Sequence, residues 1–356
     1  MKAARLVALL SRAQVVSELS DDAWLELFEQ ACQCRLELVV GDKFASVMPP
    51  SVSPQWSEEL MSQTLQNLAR CRELVEVLDF LEADGIHALA YKGPTLAALA
   101  HGSPTLRTFD DLDLWVSPEQ YRAAACCLQN AGYQFAGHPV PRCHLIQAFE
   151  TTLIHPERRV SVDLHRSFLP PSIPVRDEVL SEYLQQVTIL GRQITTLSNE
   201  ALLVLLLAHG SKHAWREIRW LYDVHCLLES QDMDWTLIYE LALESGCLRS
   251  CQVGLHLTDV LFATRQISEL FWPDAVARQL ARRSLGFLSN ERPTLGELQS
   301  YHWALCPTLR SKARYLFYTI LAPHELDLAW VDLPENLYRL YYLLRPIRKA
   351  GSLLSK

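Results

Sequence analysis

The sequence predicts an α+β protein: a compact α/β core at about residues 85–198, flanked by N-terminal helices (1–84) and a C-terminal helical domain (199–356). Three observations predict it. Before residue 84 the apolar positions recur at helical spacing. Between 85 and 198 short apolar or alternating runs take over, cut by glycine and proline. From Asn199 helical spacing returns and persists. The 356 residues are 49% hydrophobic and 21% charged, an ordinary globular composition with room for two or three domains. A formal net charge of -8 excludes an extended nucleic-acid surface, which needs broad basic coverage. It leaves room for a small, locally basic nucleotide pocket.

The elements follow in order. "MKAARLVALLSRAQVV" reads as an amphipathic helix, because Arg12 interrupts the apolar run too early for a signal peptide. Helices continue to about residue 47, and "MPPSVSPQW" (48–56) breaks them. A long helix then runs from about Ser57 to Ala83, with Leu60, Leu68, Leu74, Leu78 and Leu81 near helical spacing and Gly85 as its C-cap. "IHALAY" (86–91) is a buried strand. "KGPTLAALAHG" turns into a helix, Pro94 suiting its first turn. "DLDLWVS" (111–117) is the next strand, and residues 118–131 form a helix. After a loop containing Pro139 and Pro141, "TTLIH" and "RVSVDLHRS" read as two strands joined at "PERR". Pro170, Pro171 and Pro174 break the pattern again, and Ser198 caps the first helix of the C-terminal region. No stretch reaches the roughly 20 apolar residues that span a bilayer. The ten cysteines are scattered without a CxxC pair, which points to free thiols and a reducing cytoplasm; Cys247 and Cys251 read as core thiols on a helix.

The chemistry-bearing residues lie on the strands. Side chains alternate faces along a strand, so Asp111 and Asp113 share one face while Leu112 and Leu114 enter the core. Asp110 falls on the other side and reads as a bystander. "RVSVDLHRS" repeats the pattern, with Ser161, Asp163 and His165 on one face and Val160, Val162 and Leu164 on the other. If the two strands are neighbours, Asp111, Asp113 and Asp163 converge. Carboxylates so placed repel unless a cation neutralises them, and hard oxygen ligands suit Mg²⁺ or Mn²⁺. Two such ions can clamp a phosphoryl group in transfer. A DxD taken alone is more often a pair of solvated acids. Upstream, Lys92 and Gly93 stand between a strand and a helix start. The glycine there lets backbone N–H groups approach a phosphate, and Lys92 is a candidate phosphate partner; the plain alternative is an ordinary strand-to-helix turn.

Together, Lys92-Gly93, Asp111-Leu112-Asp113 and Asp163 resemble, in kind and order, the signature of the nucleotidyltransferase superfamily with the polymerase β-like fold. More narrowly, "KG", "R…DLDLWV" and "VDLH" are similar to an uncharacterised bacterial nucleotidyltransferase family, a resemblance that runs over about residues 55–350 and takes in "LLLAHGSKHAWREIRWLYDV" and "LPENLYRLYYLLRP". It departs in the turn: Lys-Gly-Pro stands where the wider superfamily has Gly-Gly or Gly-Ser, and Pro94 removes one N–H. The resemblance implies a small mixed-sheet nucleotidyltransferase core at 85–198 and a Mg²⁺-dependent (or Mn²⁺-dependent) enzyme with an NTP as co-substrate. Asp111 and Asp113 would bind the metal and Asp163 would complete the second metal site. The acceptor is left open: a small molecule, a peptide of a biosynthetic pathway or a protein. Arg107 would contact a phosphate or brace the turn through a carboxylate, and His165 would orient a metal-bound carboxylate or be structural. A catalytically silent nucleotide- or partner-binding relative and a phosphoryl transferase are the alternatives.

"HGSKHAWREIRW" places His209 and His213 four apart on a helix. The zinc-protease motif needs a glutamate after the first histidine, and Gly210 stands there. The resemblance instead suggests that Lys212, and less strongly His209, His213 and Arg216, reach the triphosphate; otherwise the histidines pack with Trp220. Asp223 is expected to pair with Arg219. The basic, aromatic "YRLYYLLRPIRKAGSLLSK" reads as a packed amphipathic helix rather than a membrane-binding segment.

Overall fold

The structure, a computed structural model, describes residues 4–11, 19–136, 149–264, 267–289 and 293–354. Four helices open the chain: α1 (Ala4–Ser11), α2 (Asp21–Cys34), α3 (Glu37–Phe44) and α4 (Ser53–Ala83). The Ser20 side chain caps α2 by accepting from the Ala23 N–H, and Asp21 and Asp22 face the positive end of the helix dipole. α4 begins at Ser53 rather than Ser57. Pro54 sits in its first turn, where a missing N–H costs nothing, so the proline-rich break ends inside the helix.

Next come β1 (Ala88–Ala90), α5 (Pro94–His101), β2 (Asp111–Val116), α6 (Tyr121–Asn130), β3 (Gln134–Phe135), β4 (Glu150–Ile154) and β5 (Ser161–His165). The strands form one mixed sheet in the order β1-β2-β5-β4-β3. β2 and β5 run parallel, while β1 with β2, β4 with β5 and β3 with β4 are antiparallel. Leu112, Leu114, Val116, Leu153, Val162 and Leu164 pack against Leu74, Val77 and Leu81 of α4 and Tyr121, Ala124 and Leu128 of α6. One sheet face is therefore sealed by helices, and whatever alternates with those residues faces the other way.

The sequence reading passed over a second, two-stranded sheet, β6 (Leu184–Ile189) and β7 (Arg192–Leu197), which follows the short α7 (Asp177–Leu180). Its two-residue turn puts Leu190 and Gly191 at positive φ, 50° and 83°. Such turns match the twist of a hairpin.

α8 (Asn199–Lys212) starts at the Ser198 cap, whose side chain accepts from the Ala201 N–H. Residues 201–208 are all buried, so α8 is the central helix of the second core rather than a surface helix. The expected continuous helix breaks after it, where Ala214 and Trp215 adopt φ of 51° and 56°. α9 (Ile218–Ser230), α10 (Trp235–Glu244), α11 (Leu248–Phe262), α12 (Ala275–Ser289), α13 (Leu295–Leu305), α14 (Leu309–Leu316), α15 (Glu325–Trp330) and α16 (Tyr341–Leu354) complete the described chain. Cys247 and Cys251 are buried core thiols as expected, and all described cysteines are free. Cys143, Pro139 and Pro141 lie outside the described residues. α16 packs through Tyr341 and Arg345 and turns Leu343 and Ile347 outward. No described helix is long and apolar enough to cross a membrane.

Candidate active site

The site begins with register. Asp113 of β2 lies directly opposite Asp163 of β5, and Asp111 lies opposite Ser161. Two residues separate neighbours on one face of a strand, so Asp111, Asp113, Asp163 and His165 share the face that α4 and α6 leave open. The pairing of β4 with β5 extends that face, setting Thr152 opposite Asp163 and Glu150 opposite His165.

The stretch leading into β2 is tied to four other elements. The buried Asn67 of α4 donates from Nδ2 to the carbonyls of Thr105 and Arg107, each at 2.9 Å. Thr108 donates to Glu37 of α3 at 2.7 Å, and Phe109 is buried in the sheet core. Arg107 Nε donates to both carboxylate oxygens of Asp223 on α9, at 3.0 and 3.1 Å, and His101 of α5 meets the same carboxylate at 3.0 Å. Asp223 therefore does not pair with Arg219, which holds Glu217 instead. The break after α8 restarts the helix at Ile218, which turns Asp223 toward α5. Arg107 thus pairs with a carboxylate, one of the two arrangements the sequence offered. Asp110 pairs with Arg35 at 2.5 Å and is mostly exposed, a bystander as expected.

The turn before α5 approaches β2 closely. Gly93 has φ 53°, and a Cβ there would lie 3.4 Å from the Asp111 carbonyl oxygen. Thr95 closes the turn by donating to the carbonyls of Ala90 and Lys92. This geometry aims Lys92 at the acids, with its Nζ 3.1 Å from Asp113 Oδ1. His165 Nε2 meets the same oxygen, also at 3.1 Å, and its Nδ1 is 3.6 Å from Glu150 Oε2. Asp163 Oδ1 accepts from the Thr152 hydroxyl at 2.7 Å.

The electrostatics separate the three acids. Burial pushes Asp113 up, but the Lys92 ammonium and His165 outweigh it and hold the carboxyl well below the usual range. Burial and then the charge of Asp113 push Asp111 up. Asp163 is also pushed up by burial, against the Thr152 hydrogen bond, with Asp111 and Asp113 adding to the rise. Two of the three carboxylates thus lack adequate cationic compensation.

Among the described residues, no three His, Cys, Asp or Glu side chains are drawn together tightly enough to hold a metal ion. Asp113 is turned to Lys92 and His165, and Asp163 to Thr152. The donor chemistry nonetheless fits a hard divalent ion: three carboxylates on one face, two of them raised, and an ammonium already lodged against the third.

The end of α8 overlies this face. Lys212 Nζ sits over the Phe149 ring, 5.6 Å from its centroid. Burial lowers its pKa from the ordinary value, and the charges of Glu150, Asp113 and Asp163 reach it. Lys212 therefore brings a basic side chain to the Phe149–Glu150 edge of the acid face. His209, His213 and Trp220 form a ring cluster with centroids 4.8 to 5.6 Å apart. Burial pulls His213 down to about 3 and His209 well below its ordinary value, so both rings are neutral at neutral pH. The histidines pack with Trp220, one of the two arrangements the sequence offered. Arg216 is exposed, with its Nε on the His213 carbonyl. Gly210, the residue that breaks the zinc-protease pattern, lies under Trp215: a Cβ there would be 2.3 Å from the indole ring.

Glu150 and Thr152 were missed from the sequence, as was Arg70 of α4, whose charge reaches Asp110 and Asp111. The alternation of "ETTLI" was a usable signal for Glu150 and Thr152, but only the β4–β5 register selects the face. Arg70 carried no signal beyond its place on a helix.

Residues 20–263 match the model of a family described as "Uncharacterised nucleotidyltransferase". The match starts earlier than the resemblance read from residue 55 and stops before the late "LPENLYRLYYLLRP" landmark. No curated protein matches the chain. Among solved structures, lincosamide antibiotic adenylyltransferase LnuA with lincomycin bound is 19% identical, over 37% of this chain and 83% of that one, with a TM-score of 0.28. With the family match covering well over half its length, the chain belongs to the uncharacterised nucleotidyltransferase family.

Proposed function

We propose that the chain is a Mg²⁺-dependent enzyme that moves an NMP from an NTP to an acceptor hydroxyl and releases pyrophosphate. One observation carries the reading: the parallel register that sets Asp113 opposite Asp163 with Asp111 on the same face. Asp111 and Asp113 would hold a divalent ion on the triphosphate side, and Asp163 would complete a second position on the acceptor side. The bound ion would supply Lewis-acid neutralisation of the transferring phosphoryl group. Lys92 and Lys212 bring ammonium groups to the same face for the phosphates, beside the Gly93 turn. Asp163, on the acceptor side, would serve as the base. It takes the acceptor proton as the acceptor oxygen bonds to the α-phosphorus. The bond from the α-phosphorus to the bridging oxygen breaks, and pyrophosphate leaves with that electron pair. His165 orients Asp113. The catalytic core is assigned to residues 85–198, with helical regions on both sides, and the free thiols fit a reducing cytoplasm.

A second reading has one observation in its favour. Lys92 already lodged on Asp113 is what a nucleotide-binding relative without turnover would retain. The experiment incubates the protein with each α-³²P-labelled NTP, Mg²⁺ and an extract of its own organism, beside Asp111→Asn/Asp113→Asn. The proposal expects α-label to reach an acceptor and the double variant to lose about 10³-fold or more, several kcal/mol of transition-state stabilisation. Transfer that survives the double substitution refutes the site. Nucleotide binding without transfer favours the silent relative, and transfer of γ-label alone indicates phosphoryl transfer.

A further inference from the structure

Between the open end of the sheet and the last helices lies a cleft of about 910 Å³. That is near the top of the range, roughly 300–1,000 Å³, for sites that take drug-sized ligands. Its sheet wall starts at Phe149 and Glu150. Those residues join it to the acids, because Lys212 lies over the Phe149 ring and Glu150 is 3.6 Å from the imidazole that holds Asp113. The far wall comes from α13, α14, the turn after it and α16, and presents Tyr315, Tyr318 and Tyr342. His302 of α13 meets the Lys212 carbonyl at 2.7 Å, which fixes that wall against the end of α8.

The cleft is polar at its ends. Glu150, Arg166 and Asp177 line the sheet end, and Arg345 and Lys349 the helical end. Arg345 is 6% exposed. Its Nη atoms donate to Asp327 and the Thr319 carbonyl, while its Nε is buried with no hydrogen-bond partner among the described residues. With Lys349 beside it, this end of the cleft is cationic and suits an anionic group. The far wall lies beyond the matched residues 20–263.

We propose that this cleft is the acceptor site and takes a low-mass acceptor with a flat aromatic body. The acceptor's anionic group points to Arg345 and Lys349, and its reacting hydroxyl lies at the Glu150 end. The inference rests on the nucleotidyl-transfer reading. The tyrosines supply stacking surface, Glu150 accepts a hydrogen bond from the incoming molecule, and the anion pairs with the cationic end formed by Arg345 and Lys349.

The test uses the full chain and 8-anilinonaphthalene-1-sulfonate, a flat aromatic anion, followed by its fluorescence. One saturable site is expected. Its affinity falls at least about tenfold in Tyr318→Ala/Tyr342→Ala, the loss of roughly one or two buried aromatic contacts. A second variant, Ser172→Trp, fills the cleft without removing packing and should block the probe as well. Leu343→Ser/Ile347→Ser, which changes only exposed apolar surface, leaves the probe unaffected. In the transfer assay with a low-mass extract fraction, the tyrosine and Ser172 variants lose labelled product while keeping NTP binding. Probe binding that ignores both cleft variants, or that depends on Leu343 and Ile347, overturns the proposal. So does undiminished transfer by the cleft variants. Absence of transfer in the unmodified protein with the probe site intact overturns the nucleotidyl-transfer reading and the acceptor role with it, and is told apart from failure of the cleft by that intact site.

Discussion

His165 does more at this site than its place two residues after Asp163 suggests. Its Nε2 and the Lys92 ammonium share one oxygen of Asp113, so the carboxylate stays ionised despite burial. Partners that orient a metal-binding carboxylate typically contribute 10- to 100-fold to metal affinity or activity. His165→Gln should therefore lower Mg²⁺ affinity by about 10- to 100-fold, read by titrating Mg²⁺ in the transfer assay; an unchanged Mg²⁺ dependence would remove the orienting role. Strand alternation made Asp111, Asp113 and Asp163 legible in the sequence, because each acid alternates with a core leucine or valine. Arg107 and Asp223 were not legible as a pair. They are 116 residues apart, and only the break at Ala214 and Trp215 turns α9 so that they meet.

The crossing of α8 and α11 depends on two glycines. Trp215 fills the space that Gly210 and Gly254 leave, with both Cβ positions under 2.5 Å from its ring. Trp215 is fully buried, so the ring has little freedom to withdraw. Gly210→Ala overpacks this crossing and should cost about 1–3 kcal/mol, partly offset by the better helix propensity of alanine, measured by urea unfolding. A neutral or stabilising result would mean that the indole moves at no cost. The same contact explains why a glutamate does not follow His209. Among the elements, the long helices and the strand pair "TTLIH"/"RVSVDLHRS" were legible from period alone. The β6–β7 hairpin also carried an alternating pattern, but its exposed leucines and glutamines weakened the contrast between faces, and no Asn-Gly or Asp-Gly marks its turn.

The buried triad of Arg107, Asp223 and His101 joins the approach to the acid strand to α5 and α9. Burial raises Asp223, and the Arg107 and His101 charges outweigh it and depress the carboxyl below its ordinary 3.8. The triad's contribution is therefore fully present above that value and is lost as pH falls through the lower folded value. Asp223→Ala leaves Arg107 buried and unpaired, and should cost about 3–5 kcal/mol in urea unfolding at neutral pH, a difference that shrinks as pH falls through the depressed folded value. A cost under about 1 kcal/mol would show that the triad does not hold these elements together. Over the whole molecule, the order of helices, sheet and helices was legible, and the aromatic cleft was not. Its walls come from residues 118–177 and 295–349, and no local pattern records which distant segments face each other.

The central claim is that Asp111, Asp113 and Asp163 form one divalent-ion site on a shared sheet face. The most direct measurement is Mn²⁺ binding by electron paramagnetic resonance in the presence of a non-hydrolysable NTP, comparing the unmodified chain with Asp163→Asn and Asp111→Asn. Mn²⁺ should be bound by the unmodified chain and weakened by about tenfold or more in each variant, as loss of a carboxylate ligand requires. Mn²⁺ affinity equal in all three proteins would contradict the site and the function built on it.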